Sequence, residues 1–290
     1  MESAPRPPIG RFAPSPSGPL HRGSLVAAIG SYLSARSRNG QWLLRMEDVD
    51  GGRVRPGAAA TILRQLTDLA LDWDGPVLVQ SRRNDLYRAA LGILRASGHA
   101  YPCACTRAEI QAAGGVYPGT CRHGLPAGRS PRTWRLRLPD APGSWQDRYL
   151  GWQQGRNMGD PVLLRADDYF AYLLACVVDD GAQGVSEIIR GADLLPFTAT
   201  QRTLQQALGL PALAYGHLPV ILGPDGRKLS KSSGAAPWQG NAGDAWERAL
   251  RDLGWAAPPA MHGASAPQWR DYALAELRRG RPLWDGAHQD

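Results

Sequence analysis

Lysine is confined to one short stretch of this chain. Of 33 lysine and arginine residues, only Lys228 and Lys231 are lysines, and both lie in the run Lys-Leu-Ser-Lys-Ser at 228–232. An ammonium is a compact charge on a flexible stem, whereas a guanidinium is a planar fork. Lysine retained in this one place predicts chemistry that requires an ammonium. The alternative is chance retention in a surface turn, because the turn sequence Gly-Pro-Asp-Gly comes directly before it.

A second candidate site lies near the N terminus, between Arg11 and Ser24. This segment bends at several prolines and enters a predicted helix through Gly23. Because glycine has no side chain, a ligand can approach the backbone, and the free amides at a helix start can bind phosphate. His21 would add a donor to the charge that develops on a phosphate, although a lone histidine is equally often structural. Neither a P-loop nor a dinucleotide-binding glycine motif occurs.

Three of the four cysteines form a third candidate site. Cys103, Cys105 and Cys121 lie in a loop-rich region where a bound Zn²⁺ could replace a missing hydrophobic core. By spacing alone the fourth ligand would ordinarily be His123, and a reduced, metal-free cluster is the alternative. Cys176 lies in an apolar run, which predicts a core residue.

The elements that would position the N-terminal site follow a βαβ order. The pattern predicts a strand at Ile9–Ala13, a loop at Pro14–Gly23, a helix at Ser24–Arg38 and a strand at Gln41–Met46. Ligands of such sheets bind outside the carboxyl ends of the strands. The loop and Glu47 are therefore expected to lie together.

Helical periodicity continues at Ala58–Leu71 and Asp85–Ser97, and Tyr101–His123 is predicted to be an irregular knot. Three apolar segments are consistent with the second half of the sheet: Tyr169–Val178, Gly184–Ile189 and His217–Leu222. Two amphipathic stretches close the chain. The expected regions are a first catalytic half at 1–97, an inserted unit at 98–160, a second catalytic half at 161–235 and a small helical domain at 236–290.

The charge of the chain favours a polyanionic partner. The formal net charge is +7 and the isoelectric point is near 9.5, as is common for proteins that bind nucleic acids or nucleotides. The longest apolar run, Tyr169–Val178, is too short to span a bilayer, and the N terminus lacks the apolar segment of a signal peptide. A cytoplasmic protein without a membrane partner is expected.

Two motifs together carry a resemblance to a known family. The run Arg-Phe-Ala-Pro-Ser-Pro-Ser-Gly at 11–18, followed by His-Arg-Gly-Ser at 21–24 and much later by the lysine motif, resembles the paired HIGH and KMSKS signatures of class I aminoacyl-tRNA synthetases. The first run and Leu-Arg-Met-Glu-Asp-Val-Asp at 44–50 are similar to the glutamate-type branch. The resemblance implies an α/β fold: a Rossmann-like parallel-sheet catalytic domain, an inserted zinc-containing subdomain and a short C-terminal helical region.

A glutamate site follows from charge as well as from the resemblance. Glutamate has two carboxylates and one ammonium, and Arg11, Arg190 and Glu47 supply two cations and one anion. The resemblance implies the glutamate-binding residues Arg11, Phe12, Ala13, Pro14, Ser15, Glu47, Tyr172 and Arg190. The alternatives are core packing for Tyr172 and a surface ion pair for Arg190. Which arginine binds which carboxylate stays open.

The resemblance also implies the residues that act on ATP and on zinc. The catalytic set is His21, Gly23, Lys228 and Lys231, and the ATP-binding set is His21, Gly23, Ser24 and Lys231, with Mg²⁺ accompanying ATP. Because the family pattern Cys-x-Cys…Tyr-x₃-Cys binds zinc through a tyrosinate, the resemblance favours Tyr117 over His123. One structural Zn²⁺ on Cys103, Cys105, Tyr117 and Cys121 is expected.

The tRNA substrate is suggested by length. The 290-residue chain continues for only 58 residues after Ser232, too few for the helical region that reads the anticodon in full-length enzymes. The shortened pattern resembles the branch that activates L-glutamate without tRNA and transfers it to the queuosine base in the anticodon arm of tRNA(Asp). A monomer is expected. The alternatives are a truncated synthetase that charges the tRNA acceptor end, or a catalytically silent tRNA-binding paralogue. Departures from the family pattern are Gly-Gly-Arg-Val-Arg at 51–55 and Leu173.

Overall fold

The computed structural model describes residues 6–223, 238 and 240–284. The run at 228–232, with Lys228 and Lys231, lies outside the described residues. The description therefore covers both predicted halves of the catalytic domain except for residues 1–5 and 224–235.

Parallel strands form the centre of the fold in two pieces. The first piece has the order β1-β2-β3, with every pair parallel, and the second has the order β7-β6-β10-β9, parallel except for the β6–β7 hairpin. The strands are β1 (Ile9–Phe12), β2 (Gln41–Met46), β3 (Leu78–Val79), β6 (Ser144–Asp147), β7 (Gly151–Gln154), β9 (Glu187–Gly191) and β10 (Ala214–Leu218). The two pieces meet where the Ser186 amide donates to the Ile9 carbonyl at 2.9 Å. The expected α/β fold with a parallel sheet is confirmed.

The first crossover helix, α1 (Arg22–Arg36), packs tightly on the sheet. Leu25, Ile29 and Leu33 are buried on its inner side. Gly30 allows the closest approach, because a Cβ built at this position would lie 2.4 Å from Leu218 Cδ1 on β10. This packing fixes the start of α1, and with it His21, relative to the carboxyl ends of the strands.

The cysteine region contains more regular structure than the sequence predicts. A three-stranded antiparallel sheet has the order β4-β5-β8, from β4 (Ala100–Cys103), β5 (Thr133–Leu136) and β8 (Val162–Leu164). A short helix, α4 (Arg107–Ala112), follows β4. Thr106 and Glu109 form a capping box at its start: each side chain accepts a hydrogen bond from the backbone amide of the other residue. The sequence analysis missed β4 and α4, because elements this short carry too little periodicity to be recognised. Residues 113–132 contain no helix or strand, as expected for a loop-rich region.

The apolar run at Tyr169–Val178 is a correction to the sequence analysis. It was expected to belong to the second half of the sheet, but residues from Tyr172 onward form the helix α5 (Tyr172–Ala182). An apolar run of this length fits a buried strand or a buried helix equally well. The tertiary context decides, because α5 packs between α3 (Asn84–Ala96) and α6 (Thr198–Ala207) and is apolar on both sides.

Helices complete the remaining surfaces. The first catalytic half also contains α2 (Ala58–Asp68), and the C-terminal part consists of α7 (Ala242–Asp252) and α8 (Ala266–Arg278). The helix α7 packs on α1, and the Trp246 indole donates to the Leu69 carbonyl at 2.8 Å. Within the described part of the chain, none of these helices has the length and apolarity that crossing a membrane requires.

Candidate active site

A buried group of charged side chains lies where β1 and β2 end. Arg45 is fully buried and donates to Asp180 Oδ1 at 2.8 Å and to Glu47 Oε1 at 3.1 Å. Arg11 donates from Nε to the same Asp180 oxygen at 3.2 Å. We call Arg11, Arg45, Glu47, Cys176 and Asp180 the pocket cluster. The sequence analysis found Arg11 and Glu47 but missed Arg45 and Asp180.

Ion pairing keeps this cluster charged despite its burial. Burial alone would raise the pKa of Asp180, but Arg45 and Arg11 outweigh it and lower that pKa. Burial raises the pKa of Glu47, against the effect of Arg45 and Arg11. Burial opposes the charge of Arg11, while Asp180 and Cys176 raise its pKa. The arginines are therefore permanent cations, and Glu47 is the carboxylate of the cluster that loses its charge most easily.

Cys176 is buried as expected, but its neighbours are charged rather than apolar. Its sulfur lies 3.4 Å from Glu47 Oε1 and 3.3 Å from Arg45 Nη2. Burial, Glu47 and Asp180 raise the pKa of this thiol to about 12, so it stays protonated. Asp180 could have indicated this charged environment from the sequence, because an acid in a buried helix needs a cationic partner.

Tyr172 lies at the first turn of α5, close to the predicted pocket residues. The residue keeps 36% of its surface exposed. Burial, Cys176 and Glu47 raise the pKa of Tyr172, and Arg190 and Arg11 oppose that rise. The structure thus brings Tyr172 into the electrostatic range of Arg11, Glu47 and Arg190, and core packing of Tyr172 is wrong.

Arg190 lies at the end of β9 and is not a surface residue. Only 4% of it is exposed, so a surface ion pair is wrong. Its Nε donates to His217 Nε2 at 3.1 Å and its Nη2 to Thr198 Oγ1 at 2.8 Å. Nη1 is buried and has no hydrogen-bond partner among the described residues. Nη2 also donates to the Leu194 carbonyl at 3.3 Å, so among the nitrogens of this guanidinium only Nη1 has no partner in the described part of the chain.

The loop after β1 is fixed to the end of β2. The Glu47 amide donates to the Pro14 carbonyl at 3.0 Å, which places the backbone of Ala13, Pro14 and Ser15 beside Glu47. Phe12 is 7% exposed and its ring stacks on Trp42 at 6.2 Å, so any contribution of Phe12 to a pocket comes from its backbone.

His21 caps α1, and the cap determines which of its nitrogens carries a proton. The Ser24 amide donates to His21 Nδ1 at 3.3 Å, and the His21 amide donates to Ser24 Oγ at 2.7 Å. Because Nδ1 accepts, the proton of a neutral His21 ring is on Nε2. His21 can therefore offer an N–H donor beside the amides of Gly23 and Ser24 at the helix start.

A buried glutamine connects this loop to the chain beyond the lysine motif. Gln65 Oε1 accepts from the Leu20 amide at 2.8 Å, and the Trp238 amide donates to the Leu20 carbonyl at 2.8 Å. Leu20 precedes His21, and Trp238 follows the lysine motif by a few residues. Trp238 is thus tied to the N-terminal site, both directly and through Gln65, whose Nε2 donates to the Trp238 carbonyl at 3.4 Å.

The three cysteines of the knot form a cluster with metal-ligand geometry. We call Cys103, Cys105 and Cys121 the cysteine cluster; their sulfurs lie within 4.8 Å of one another. The Cys105 and Cys121 sulfurs are 3.7 Å apart. Two thiolates bound to one tetrahedral zinc at about 2.3 Å would lie about 3.8 Å apart. The donor set and its spacing therefore fit Zn²⁺.

Tyr117 is closer to these sulfurs than His123. The Tyr117 hydroxyl accepts from the Cys121 amide at 2.8 Å and interacts with the Cys103 thiol, whereas His123 is exposed and is not part of the ligand group. Burial opposes the charge of Cys103, but the Cys105 amide and Arg135 lower its pKa to about 7. Burial, Cys121 and Cys103 raise the pKa of Cys105 to about 11. Cys103 is therefore easier to deprotonate than an ordinary thiol, whereas Cys105 is harder, and a bound cation would favour the thiolate of Cys105.

Comparison with known proteins identifies the family. The model of the catalytic domain of class I tRNA synthetases of the E and Q type matches residues 9–116 and 126–249. This chain belongs to that family, and it is an enzyme of the aminoacyl-tRNA synthetase type.

Its similar relatives share one name. A glutamyl-Q tRNA(Asp) synthetase of Thiobacillus denitrificans is 50% identical over 275 residues, 91% of each chain. That of Chromobacterium violaceum is 52% identical over 271 residues, 90% of each chain. A solved glutamate tRNA ligase of Elizabethkingia meningosepticum, in complex with its amino acid, is 31% identical with a TM-score of 0.68 and covers 79% of this chain. The chain spans 53% of that ligase.

Proposed function

We propose that this enzyme activates L-glutamate with ATP to form glutamyl-adenylate, without tRNA, and then transfers glutamate to the queuosine base in the anticodon of tRNA(Asp). Support for the second step comes from the names of its relatives, which match about nine-tenths of both chains. Support for the first step comes from the charge and geometry of the pocket.

The charge of the buried residues carries the proposal of glutamate as substrate. The arginines Arg11, Arg45 and Arg190 exceed the acids Glu47 and Asp180 by one positive charge, and all five side chains are buried. Free glutamate has a net charge of minus one, so its binding would balance the one-charge excess of these five residues. Asp180 is occupied by two arginines, which leaves Glu47 as the acid for the ammonium group.

The activation step needs positioning rather than a base. The α-carboxylate of glutamate is already ionised at neutral pH, so it can attack the α-phosphate of ATP directly while pyrophosphate leaves. In our proposal the Nε2–H of His21 and the amide of Gly23 bind the phosphates, Ser24 holds the His21 ring in place through the cap of α1, and Arg11 and Arg190 hold the two carboxylates. Mg²⁺ bound with ATP would supply further positive charge against the phosphates.

The lysine motif completes the proposal. We propose that Lys231 contacts the phosphates of ATP and that Lys228 supports its loop. Lys231→Ala should lower glutamate-dependent ATP–pyrophosphate exchange by about two to three orders of magnitude, as loss of one preorganised donor does. Lys231→Arg is the matched control for charge: it should recover only part of the rate, because a guanidinium cannot replace a compact ammonium. Wild-type exchange in Lys231→Ala would remove this role.

Transfer of labelled glutamate to tRNA tests the second step. The proposal predicts label on tRNA(Asp) that contains queuosine, no label without queuosine, and no loss when the terminal adenosine is oxidised. Label that requires an intact terminal adenosine would instead identify an enzyme that charges the acceptor end. No exchange and no transfer would leave a silent tRNA-binding protein.

We also propose that Cys103, Cys105, Tyr117 and Cys121 hold one structural Zn²⁺, and that the unit at 98–160 depends on it. The supporting observations are the sulfur spacing and the hydrogen bonds of the Tyr117 hydroxyl. Since burial raises the pKa of Tyr117, a tyrosinate at this position would form only with the metal bound.

A further inference from the structure

Three buried side chains form a row across adjacent strands, and only one of them belongs to the pocket proposed above. Arg190 on β9 is the register partner of His217 on β10, and Asp147 ends the neighbouring strand β6. His217 and Asp147 are 0% and 1% exposed. Because the three strands are parallel, their carboxyl ends place these side chains next to one another.

Hydrogen bonds along this row determine which ring nitrogen of His217 donates and which accepts. Asp147 Oδ2 is 2.5 Å from His217 Nδ1, and Arg190 Nε donates to His217 Nε2 at 3.1 Å. An arginine N–H can only donate, so His217 Nε2 must accept and its proton must be on Nδ1. Asp147 favours that tautomer by accepting from Nδ1.

The charges around His217 agree with a neutral ring. Burial and Arg190 lower the pKa of His217, against the effect of Asp147 and Asp193. The pKa of Asp147 is lowered by His217, against the effect of burial. Thr198 Oγ1 lies 3.2 Å from His217 Nε2 and accepts from Arg190 Nη2. Thr198 therefore contacts both His217 and Arg190.

We infer that Asp147 and His217 are positioning residues that orient Arg190 toward a carboxylate of the substrate. The dyad and Thr198 bind Nε and Nη2 of Arg190, and the unpartnered Nη1 is thereby the donor presented to the ligand. This inference rests on the proposed function, because it takes the ligand of Arg190 to be glutamate.

Asp147→Asn is the sharpest test, because the backbone dictates how the new amide must lie. Asp147 Oδ1 accepts from the amides of Tyr149, Leu150 and His217 at 3.1–3.2 Å. An asparagine that keeps these bonds must turn its NH₂ toward His217 Nδ1. His217 would then accept at Nδ1 and carry its proton on Nε2, facing the Nε–H of Arg190.

The expected kinetic result is a split between the two substrates. Asp147→Asn should raise the KM for glutamate by about 10- to 100-fold, as loss of a partner that orients a metal ligand does in metal sites. The KM for ATP should not change. His217→Gln keeps an acceptor for Arg190 and should change the KM for glutamate much less. In a His217→Gln background Asp147→Asn should add little, because no ring tautomer is left to invert.

Asp160→Asn is the matched control. Asp160 is a buried acid that binds Tyr101 and Arg122, and its loss should reduce stability without a selective effect on glutamate. An equal change of both KM values in Asp147→Asn, or an unchanged KM for glutamate in the folded variant, would overturn the inference.

Nitrogen NMR of the ligand-free wild-type protein tests the arrangement without any activity. The expected result is a protonated Nδ1 and an unprotonated Nε2 on His217, with a hydrogen-bonded Nε–H on Arg190. A proton on His217 Nε2 would overturn the inference even if the enzyme activates glutamate. Absence of glutamate-dependent exchange in the wild type would overturn the proposed function and the carboxylate role, while the NMR result would still decide whether the dyad orients Arg190.

Discussion

The pocket cluster and the cysteine cluster are both buried and polar, yet they differ in how charge is balanced. In the pocket cluster, Arg11 and Arg45 are paired with Asp180 and Glu47 before any ligand is bound. In the cysteine cluster, three sulfurs lie together without an ion pair of this kind, although Arg135 lowers the pKa of Cys103 and Arg129 lies within electrostatic range of Cys105 and Cys121. One region is therefore balanced by its own ion pairs, whereas the other, with the proposed zinc site, would depend on a cation from outside the chain.

Removal of one cysteine should have the largest effect. Cys121→Ser removes a proposed zinc ligand and should therefore lose the bound zinc. The loss of stability should be large, because structural zinc contributes about 10–16 kcal/mol in small zinc-dependent peptides. Metal analysis of the purified protein and thermal unfolding would measure this. Cys176→Ser is the matched control and should retain one zinc per chain. Equal metal content in both variants would contradict the assignment of the cysteine cluster.

Replacement of Asp180, the acid that both Arg11 and Arg45 contact, tests whether ion pairs stabilise the pocket cluster. Asp180→Asn leaves two buried guanidinium groups without their common carboxylate and should lower the free energy of unfolding by about 3–5 kcal/mol. Denaturant unfolding would measure the loss. Asp167→Asn is the control, since Asp167 also binds an arginine at 2.6 Å but is exposed. Similar small losses in both variants would show that the pocket cluster is not held by ion pairs.

The pH dependence of this pair has a definite sign. The folded-state pKa of Asp180 is lowered, so its stabilisation is present above the ordinary pKa of 3.8 and is lost as the pH falls through the lowered value. The difference in stability between the wild type and Asp180→Asn should therefore shrink in strong acid.

A smaller, functional effect is expected at Glu47. Glu47→Gln should lower kcat/KM for glutamate by about 10- to 100-fold, since a charge-assisted hydrogen bond contributes about 1.5–3 kcal/mol. Burial raises the pKa of Glu47, so wild-type kcat/KM should fall on acidification at a higher pH than for an ordinary glutamate. Glu47→Gln should lack that acidic decrease. An identical pH profile in both enzymes would exclude Glu47 as the ammonium ligand.

The smallest effect is expected at the edge of the cysteine region. Thr106→Ala removes the cap of α4 and should cost about 1 kcal/mol of stability. Thr67→Ala is the control, because the Thr67 hydroxyl bonds only to the Leu63 carbonyl in its own helix and caps no helix end. With zinc bound, the loss from Thr106→Ala should be confined to local unfolding, which hydrogen exchange of the α4 amides would measure. A loss of zinc in Thr106→Ala would show that the helix, rather than the metal, organises this region.

The sequence alone determined the local parts of this protein. The βαβ start, the strand Gln41–Met46, the cysteine cluster and each of the two signature runs were readable, because each depends on residues close together in the chain. The domain boundaries and the roles of Lys228 and Lys231 stay predictions. The helical state of α5 was missed, because a short apolar run has no period that separates a strand from a helix.

Only the tertiary structure decided which polar residues meet. Arg45 and Asp180 are far apart in sequence, and so are Asp147 and His217, and the local sequence around either residue of a pair does not indicate its partner. Parallel strands bring their carboxyl ends to one edge of the sheet, and burial there compels each charge to find a counter-charge or a hydrogen bond. The pocket is therefore a consequence of strand order and burial, which a sequence specifies only through the completed fold.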